Sequence, residues 1–103
     1  MTKLDPVRGS EQAGTRPVVI LQRDALAFLP TVVVVPFTRT VRRSWSSFCI
    51  TVSAGDGGLV TDSVALCHQV RVCDKSRLIQ RMGQVKPATL ARIEDAVRYA
   101  LQT

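Results

Sequence analysis

The chain has 103 residues, of which 46% are hydrophobic and only 5% are aromatic. This composition excludes a disordered protein, and the length predicts one domain, residues 1–103, with an aliphatic core. No apolar run approaches the roughly 20 residues that a membrane-spanning helix needs, even at TVVVVPF. The N-terminus lacks the basic-then-apolar pattern of a secretory signal, so we expect the protein in the cytoplasm.

The charge is strongly positive, with 14 Lys and Arg against 8 Asp and Glu and a net charge of +6. Lysine occurs only at Lys3, Lys75 and Lys86, so most of the cations are arginines. Guanidinium is planar, always charged and able to bind phosphate through two parallel hydrogen bonds. The arginine bias therefore favours a nucleic acid partner, although a basic face that serves only solubility has the same composition.

Three cysteines, Cys49, Cys67 and Cys73, form no CxxC pair. Their odd number and scattered positions predict reduced, buried thiols. A metal site needs about four nitrogen or sulfur ligands. One histidine and scattered cysteines form no recognisable site of this kind, so we expect no metal and no other cofactor.

In chain order, residues 1–16 are polar and predict an N-terminal loop segment, and residues 17–85 hold barrel strands and their connections. The second strand candidate does not alternate, which predicts burial on both faces. SAGDGG at 53–58 is typical of a hairpin connection, and a helical turn is expected at 75–78. The strand candidates are PVVILQ at 17–22, TVVVVPF at 31–37, FCITV at 48–52, SVALCHQVRV at 63–72 and a short edge strand, MGQV, at 82–85.

The last segment, residues 87–101, predicts an amphipathic helix. Pro87 suits the first helical position, and Glu94 lies four residues before Arg98, where the two form a favourable exposed pair. Several short strands followed by one helix predict a mainly β fold, a small barrel with the helix packed against it. The apolar residues at helical spacing are Leu90, Ile93, Val97 and Leu101.

The motif RGSEQAGTRP, residues 8–17, holds a Ser-Glu-Gln triplet between two arginines and ends at the proline that opens the first apolar run. It is followed by PTVVVVPFT, TDSVALCHQVRVCDKSRL, MGQV and the closing helix. In this order, from Leu4 to Leu101, the chain resembles the MazF/PemK family of endoribonuclease toxins. The G-S-E-Q-x-G-x-R-P loop is the most specific of these motifs.

The resemblance implies an SH3-like barrel of the CcdB/PemK type that forms a homodimer. It implies the toxin of a type II toxin–antitoxin system, which cleaves single-stranded RNA at short preferred sequences without a metal. It also implies inactivation by a cognate antitoxin that occupies the RNA groove.

By the same resemblance Arg16, in TRP, is the catalytic arginine, and Thr38, in PFT, is the hydroxyl that contacts the scissile phosphate. Metal-free RNA cleavage requires proton movement and stabilisation of negative charge on phosphate oxygens. Guanidinium hardly deprotonates in proteins, so we favour an electrostatic role for Arg16 over a role as proton donor. Without the resemblance, Arg16 is an ordinary solvated residue and Thr38 could simply cap a turn.

The resemblance also implies RNA-binding residues around these two. The short polar side chains before Arg16 suit hydrogen bonds to unstacked base edges, or they satisfy the backbone of their own loop. The expected RNA-binding residues are Ser10, Glu11, Gln12, Arg39, Gln69 and Arg71.

Two aromatic residues need separate treatment. His68 invites comparison with acid–base histidine nucleases, but it lies in a strand pattern and the family pattern does not require it, so we do not expect it to be catalytic. Trp45 lies in RRSWSSF beside Arg42 and Arg43. It either stacks on RNA bases or packs beneath its own loop.

The chain departs from the family pattern in two places. Family chains usually begin one strand earlier, so we expect the first strand to be missing here, which would expose a ladder edge. SWSSF replaces a Leu-Pro-Thr-like turn, so the RNA preference of relatives does not carry over. A non-enzymatic interaction module on the same fold, either a gyrase-poisoning toxin or an inactive decoy that binds antitoxin, is the alternative function.

Overall fold

The computed structural model describes residues 8–12, 16–21, 24–39 and 47–101, with the backbone alone at 8–12 and 24. Short 3-10 turns lie at Asp24–Leu26, Asp56–Gly58, Cys67–Gln69 and Lys75–Arg77. The prediction of a mainly β fold with a C-terminal helix is confirmed. The strands and helix are β1 (Arg8–Gln12), β2 (Arg16–Ile20), β3 (Thr31–Thr38), β4 (Cys49–Val52), β5 (Ser63–Leu66), β6 (Arg71–Asp74), β7 (Leu78–Gln84) and α1 (Pro87–Leu101).

The strands form one antiparallel sheet in the order β4-β5-β3-β2-β1-β7, and β6 also pairs with β3. The sheet curls until β7, at one end, reaches the connection between β4 and β5 at the other. There Gly83 packs on Gly57, whose carbonyl carbon would lie 3.0 Å from a Cβ atom at position 83. In the described part of the chain, the barrel is therefore closed by backbone packing of a turn on a strand.

The core occupies both faces of the two central strands, β2 and β3. Successive side chains of a strand point to opposite faces, so Val18 and Val19 belong to different clusters. This confirms that the non-alternating run in β3 is buried on both faces. The larger cluster, which includes α1, holds Val19, Val35, Phe37, Val52, Leu59, Ala65, Cys67, Val85, Ile93 and Ala96. The smaller cluster holds Val18, Ile20, Val32, Val34 and Cys73.

The strand predicted at 63–72 is interrupted, and this prediction is wrong in one respect. β5 and β6 both lie along the same edge of β3, but the turn Cys67–Gln69 separates them. Cys67 is fully buried, and its N–H donates to the Phe48 carbonyl oxygen at 3.0 Å. The turn directs Cys67 into the core and places His68 outside any strand.

The N-terminal residues 8–12 form β1 and not the predicted loop. β1 pairs with β2 on one edge and with β7 on the other, and two register shifts lie on the β7 side. Their polar sequence carries no strand pattern, so the pairing partners impose the strand. The expected loss of the family's first strand concerns the part before residue 8, outside the described residues, and stays a prediction.

Helix α1 begins at Pro87 as predicted, with Ile93 buried and Leu90 and Val97 packed against the larger cluster. Leu101 is 64% exposed, so the apolar stripe ends one turn earlier than predicted. Arg98 pairs with Asp95, at 2.8 Å between Nη1 and Oδ1, and not with Glu94. Both partners are exposed, so the pair stabilises the helix only slightly.

Several smaller predictions are confirmed. The 53–58 segment lies in a β4–β5 hairpin connection, and the turn before β7 is the 3-10 turn Lys75–Arg77. The edge strand predicted at 82–85 is β7, at an end of the sheet, but it spans Leu78–Gln84 and so begins four residues earlier than predicted. All three cysteines are free thiols, with Cys67 and Cys73 buried and Cys49 half-buried. Burial raises the pKa of the Cys67 thiol to about 12, and the nearby Cys49 adds to the rise.

Candidate functional site

A cleft of about 590 Å³ opens where β2 begins and β3 ends. Its lining combines strand residues with residues of the β4–β5 connection and one residue of β7. The side chains that line it are Arg16, Pro17, Phe37, Thr38, Arg39, Leu59, Val60, Thr61, Ser63 and Met82. The structure thus brings Arg16, Thr38 and Arg39, three of the predicted site residues, into one cavity.

Arg16 is fixed by the strand that it opens. The next residues bury progressively, from the half-buried Pro17 to Val18, Val19 and Ile20, which are 0% exposed. The Arg16 side chain itself is exposed. A rigid, buried strand therefore anchors the backbone of an arginine whose charged group reaches the cleft.

Thr38 and Arg16 lie beyond the same end of the β2–β3 ladder. The observed pairs of β2 with β3 run from Ile20 with Val34 to Val18 with Pro36. Thr38 itself pairs with Val64 of β5. Arg16 and Thr38 both line the cleft, so a guanidinium-bearing and a hydroxyl-bearing residue belong to one cavity.

The electrostatics of the cleft favour an anion. Arg16 and Arg39 both line it, and among its described lining residues none is acidic. Guanidinium groups keep their positive charge at neutral pH and suit phosphate oxygens through paired N–H donors. The hydroxyls of Thr38 and Thr61 add neutral donors to the same surface.

The second wall of the cleft was missed by sequence reasoning. It consists of Leu59, Val60 and Thr61 from the β4–β5 connection, with Ser63 from β5 and Met82 from β7. Val60 is 80% exposed and so presents an aliphatic surface to the cleft. The sequence signal was the Leu-Val pair directly after the glycines of SAGDGG.

The predicted RNA-binding residues Ser10, Glu11 and Gln12 lie on β1, directly beside β2. Gln12 pairs with Arg16, and Ser10 pairs with Val18. Their backbone is therefore adjacent to the strand that carries Arg16. Their side chains lie outside the described residues.

Gln69 and Arg71 do not line the cleft. Gln69 is exposed in the Cys67–Gln69 turn, which packs against α1. Arg71 is exposed on β6 opposite Val34, which is four residues along β3 from Thr38, a distance of about 13 Å at strand spacing. These two residues are therefore separated from the pair Arg16 and Thr38.

His68 does not line the cleft either, and its ring packs edge-on against Phe48 with centroids 4.7 Å apart. This position fits the expectation that His68 is not catalytic. The predicted contact residues Arg42, Arg43 and Trp45 lie outside the described residues.

The described residues contain neither a metal-binding cluster nor a helix that could span a membrane. Within residues 8–12, 16–21, 24–39 and 47–101, no group of three or more His, Cys, Asp or Glu side chains is placed to hold a metal ion. No helix in that same part of the chain has the length and apolar character to cross a membrane.

Residues 1–101 match the family described as the PemK-like, MazF-like toxin of type II toxin–antitoxin systems. The chain is 32% identical over 99 residues to endoribonuclease EndoA of Bacillus subtilis, which covers 95% of this chain and 85% of that protein. It is also 32% identical over 102 residues to endoribonuclease MazF of Staphylococcus saprophyticus, with 98% and 85% covered.

The fold matches solved structures as well. An endoribonuclease in complex with its cognate antitoxin, from a mycobacterial species, superposes with a TM-score of 0.83 over 97% of this chain and 95% of that one, at 24% identity. At this identity the likeness concerns the fold, and it confirms the barrel-like CcdB/PemK architecture predicted from the sequence.

Proposed function

The chain belongs to the PemK-like, MazF-like toxin family of type II toxin–antitoxin systems, and we propose that it is an endoribonuclease that cleaves single-stranded RNA in the cleft beside Arg16. One observation carries this proposal. Arg16, Thr38 and Arg39 line one cavity, with no acidic side chain among its described lining residues. The names of the two relatives with 32% identity support the same activity.

The reaction proposed is transesterification within the RNA. The 2′-oxygen of the ribose attacks the adjacent phosphorus, the bond from phosphorus to the 5′-oxygen breaks, and the products end in a 2′,3′-cyclic phosphate and a 5′-hydroxyl. The 2′-hydroxyl proton is lost to solvent, and the leaving 5′-oxygen takes a proton from solvent. Negative charge builds on the non-bridging phosphate oxygens during this step, and donors aimed at those oxygens accelerate it.

Arg16 supplies the largest part of this stabilisation in the proposed mechanism. Its guanidinium donates two hydrogen bonds to the non-bridging oxygens, and the rigidity of β2 means that little reorganisation is needed. Thr38 donates its hydroxyl to one of the same oxygens. Both roles are electrostatic, because a guanidinium remains protonated throughout.

The other predicted RNA contacts extend from this centre. Arg39 lines the cleft itself. The residues Ser10, Glu11 and Gln12 lie on β1, which pairs with the strand that bears Arg16. Gln69 and Arg71 lie further away, so we assign them to nucleotides beyond the cleaved bond. We propose a cytoplasmic homodimer that a cognate antitoxin inactivates, in line with the antitoxin complex of the mycobacterial endoribonuclease.

The test compares the wild type with Arg16→Ala on a long, unstructured RNA in the presence of EDTA. Arg92→Ala is the matched control, because it removes the same charge from an exposed position on α1 outside the cleft. We expect the wild type and Arg92→Ala to produce fragments with 2′,3′-cyclic phosphate ends, and Arg16→Ala to produce almost none.

Equal cleavage by Arg16→Ala and the wild type would remove Arg16 from the mechanism. Loss of all cleavage in EDTA would contradict a metal-independent reaction. Growth arrest on expression with intact RNA and broken DNA would favour the gyrase-poisoning alternative, and absence of both effects would favour the antitoxin-binding decoy.

A further inference from the structure

The connection between β4 and β5, residues 53–62, supplies the second wall of the cleft and is called the cleft loop below. Its backbone is tied together internally, since the Gly55 N–H donates to the Leu59 carbonyl at 2.7 Å and the Leu59 N–H donates to the Asp56 carbonyl at 3.2 Å. The Asp62 carboxylate accepts a hydrogen bond from the Ala54 N–H at 2.8 Å and closes the base of the loop. The loop is therefore compact, but these bonds do not fix its position on the barrel.

Two side chains attach the cleft loop to the rest of the protein: Leu59, which is buried in the larger core cluster, and Asp56, which binds the start of α1. Asp56 Oδ1 accepts a hydrogen bond from the Lys86 N–H at 2.9 Å, and Oδ2 accepts one from the Thr89 hydroxyl at 2.5 Å. Thr89 is buried, and both partners lie at the start of α1. A carboxylate that accepts from the first turn of a helix satisfies backbone donors that the helix leaves open.

The glycines after Asp56 let the loop lie directly on β7. Gly57 has a φ of +67°, and a Cβ atom there would meet Val85 Cγ1 at 2.6 Å. Gly58 has a φ of +79°, and a Cβ atom there would overlap the Met82 carbonyl oxygen. Because Met82 lines the cleft, the loop and the strand that meet here both contribute to the same cavity.

We propose that Asp56 is a positioning residue that fixes Val60 and Thr61, next to the buried Leu59, as the base-recognising wall of the cleft. The wall combines the exposed aliphatic surface of Val60 with the Thr61 hydroxyl, beside the two arginines. This surface suits a nucleobase, with an apolar face against Val60 and an edge hydrogen-bonded to Thr61. The base next to the cleaved phosphate is the one that this wall contacts.

This inference rests on the proposed RNA cleavage and adds the source of sequence selectivity to it. Arg16 acts on a phosphate, which is the same in every nucleotide and carries no sequence information. A wall held in one position discriminates between bases, whereas a mobile wall accepts several. Release of the wall should therefore broaden the choice of cut sites more than it slows the chemical step.

The test uses Asp56→Ala, with Asp56→Asn as the conservative variant. Asparagine keeps an oxygen that accepts from the Lys86 N–H, and its amide N–H can donate to the Thr89 oxygen. Thr89→Val and Thr89→Ser form a second pair, in which only serine keeps the hydroxyl. Asp95→Ala is the matched control, because it removes an exposed carboxylate from α1.

The readout is the ratio of cleavage rates at preferred and secondary sites of one long RNA, mapped by sequencing of fragment ends. We expect this ratio to fall about 10- to 100-fold in Asp56→Ala, the size of effect that small misplacements produce. Asp56→Asn and Asp95→Ala should keep the wild-type pattern. An unchanged ratio in folded Asp56→Ala would overturn the proposal, since a role in stability alone lowers the amount of active protein but leaves the pattern intact.

Hydrogen exchange reports the anchor of the loop without any cleavage. The Lys86 amide, which donates to Asp56 Oδ1, should exchange faster in Asp56→Ala and in Thr89→Val and remain slow in Asp56→Asn and Thr89→Ser. Slow exchange in both disruptive variants would overturn the positioning role. If the wild type cuts no RNA, the proposed function and the selectivity inference fail together, whereas faster exchange would still support the anchor.

Discussion

The two walls of the cleft are built in different ways. The wall with Arg16 and Thr38 belongs to β2 and β3, whose adjoining residues are buried in two core clusters. The wall with Val60 and Thr61 belongs to a loop that contains glycines at positive φ and depends on Asp56 for its attachment. The first wall is rigid because of burial. The second is held by two hydrogen bonds to Asp56, by the buried Leu59 and by the close packing of Gly57 and Gly58.

This difference assigns different tasks to the two sides. Stabilisation of charge on a phosphate requires donors that do not reorganise, which a buried pair of strands provides. Recognition of a base sequence must change between relatives without loss of the fold, and surface loops accept such changes most readily. Substitutions in the wall with Arg16 and Thr38, the strand wall, should therefore affect the rate of RNA cleavage. Substitutions in the wall with Val60 and Thr61, the loop wall, should affect the stability of the loop and the choice of cleavage site.

Removal of the charge from the strand wall should have the largest effect. Arg16→Ala should lower kcat by about 10²- to 10³-fold, as loss of one oxyanion-stabilising donor does elsewhere. Arg16→Lys keeps a charge but not the two parallel donors, so its rate should lie between those of alanine and the wild type. Single-turnover cleavage with saturating enzyme measures this step, and equal rates for lysine and arginine would contradict the paired-donor role.

Addition of a side chain at Gly58, which packs on β7 below the loop wall, should have the next largest effect, in this case on the free energy of unfolding. Gly58→Ala should lower the free energy of unfolding by about 2–4 kcal/mol, because the new Cβ overlaps the Met82 carbonyl and the φ of +79° is unfavourable for alanine. Gly55→Ala, at a φ of +94° with no atom within 4 Å of the new Cβ, is the control and should cost about 1 kcal/mol. Urea titration measures both, and equal losses would contradict the close packing of the loop on β7.

Loss of the hydroxyl from the strand wall should have a smaller effect on rate than loss of Arg16. Thr38→Val should lower kcat about 10-fold, since one hydrogen bond to a charged phosphate oxygen is worth at least about 1.5 kcal/mol. Thr38→Ser should retain most of the activity. Thr51→Val, at an exposed position of β4 outside the cleft, is the control; a Thr38→Val enzyme as fast as this control would exclude the hydroxyl from the reaction.

The smallest effect is on the pH dependence of stability, and it concerns Cys67 in the core that supports both walls. Burial raises the pKa of Cys67 from 9.0 to about 12, so above pH 9 the unfolded chain loses this proton while the folded chain keeps it. Stability contributed by the neutral thiol is therefore present below pH 9 and is lost as the pH rises towards 12, by less than about 1.4 kcal/mol per pH unit. Cys67→Ala should flatten the fall in urea midpoint between pH 9 and 11, and an identical slope in both proteins would contradict the burial of this thiol.

The elements that the sequence predicted are those with local apolar patterns. β2, β3 and α1 were found at nearly their observed positions, because runs of valine and a helical repeat identify them without reference to other segments. Arg16, Thr38 and Arg39 were predicted as site residues through the family motif, and the structure places all three in one cavity. Local pattern alone leaves Arg16 as a solvated residue before a proline.

The features that the sequence did not predict depend on distant residues. β1 is a polar segment that becomes a strand because β2 and β7 lie on both sides of it. The interruption at Cys67–Gln69 follows from packing beneath α1. The loop wall depends on Asp56 and its partners Lys86 and Thr89, which are 30 and 33 residues away. No local pattern contains such contacts.

The most direct test of the central claim replaces one ribose at a mapped cut site with 2′-deoxyribose. RNA cleavage in the cleft uses the substrate's own 2′-oxygen as nucleophile. We therefore predict that this one bond stays intact, while the neighbouring cut sites are cleaved at the same rate as in unmodified RNA. The modified RNA should still bind, and binding should weaken in Arg16→Ala. Cleavage of the deoxy-substituted bond at the unmodified rate would contradict the account.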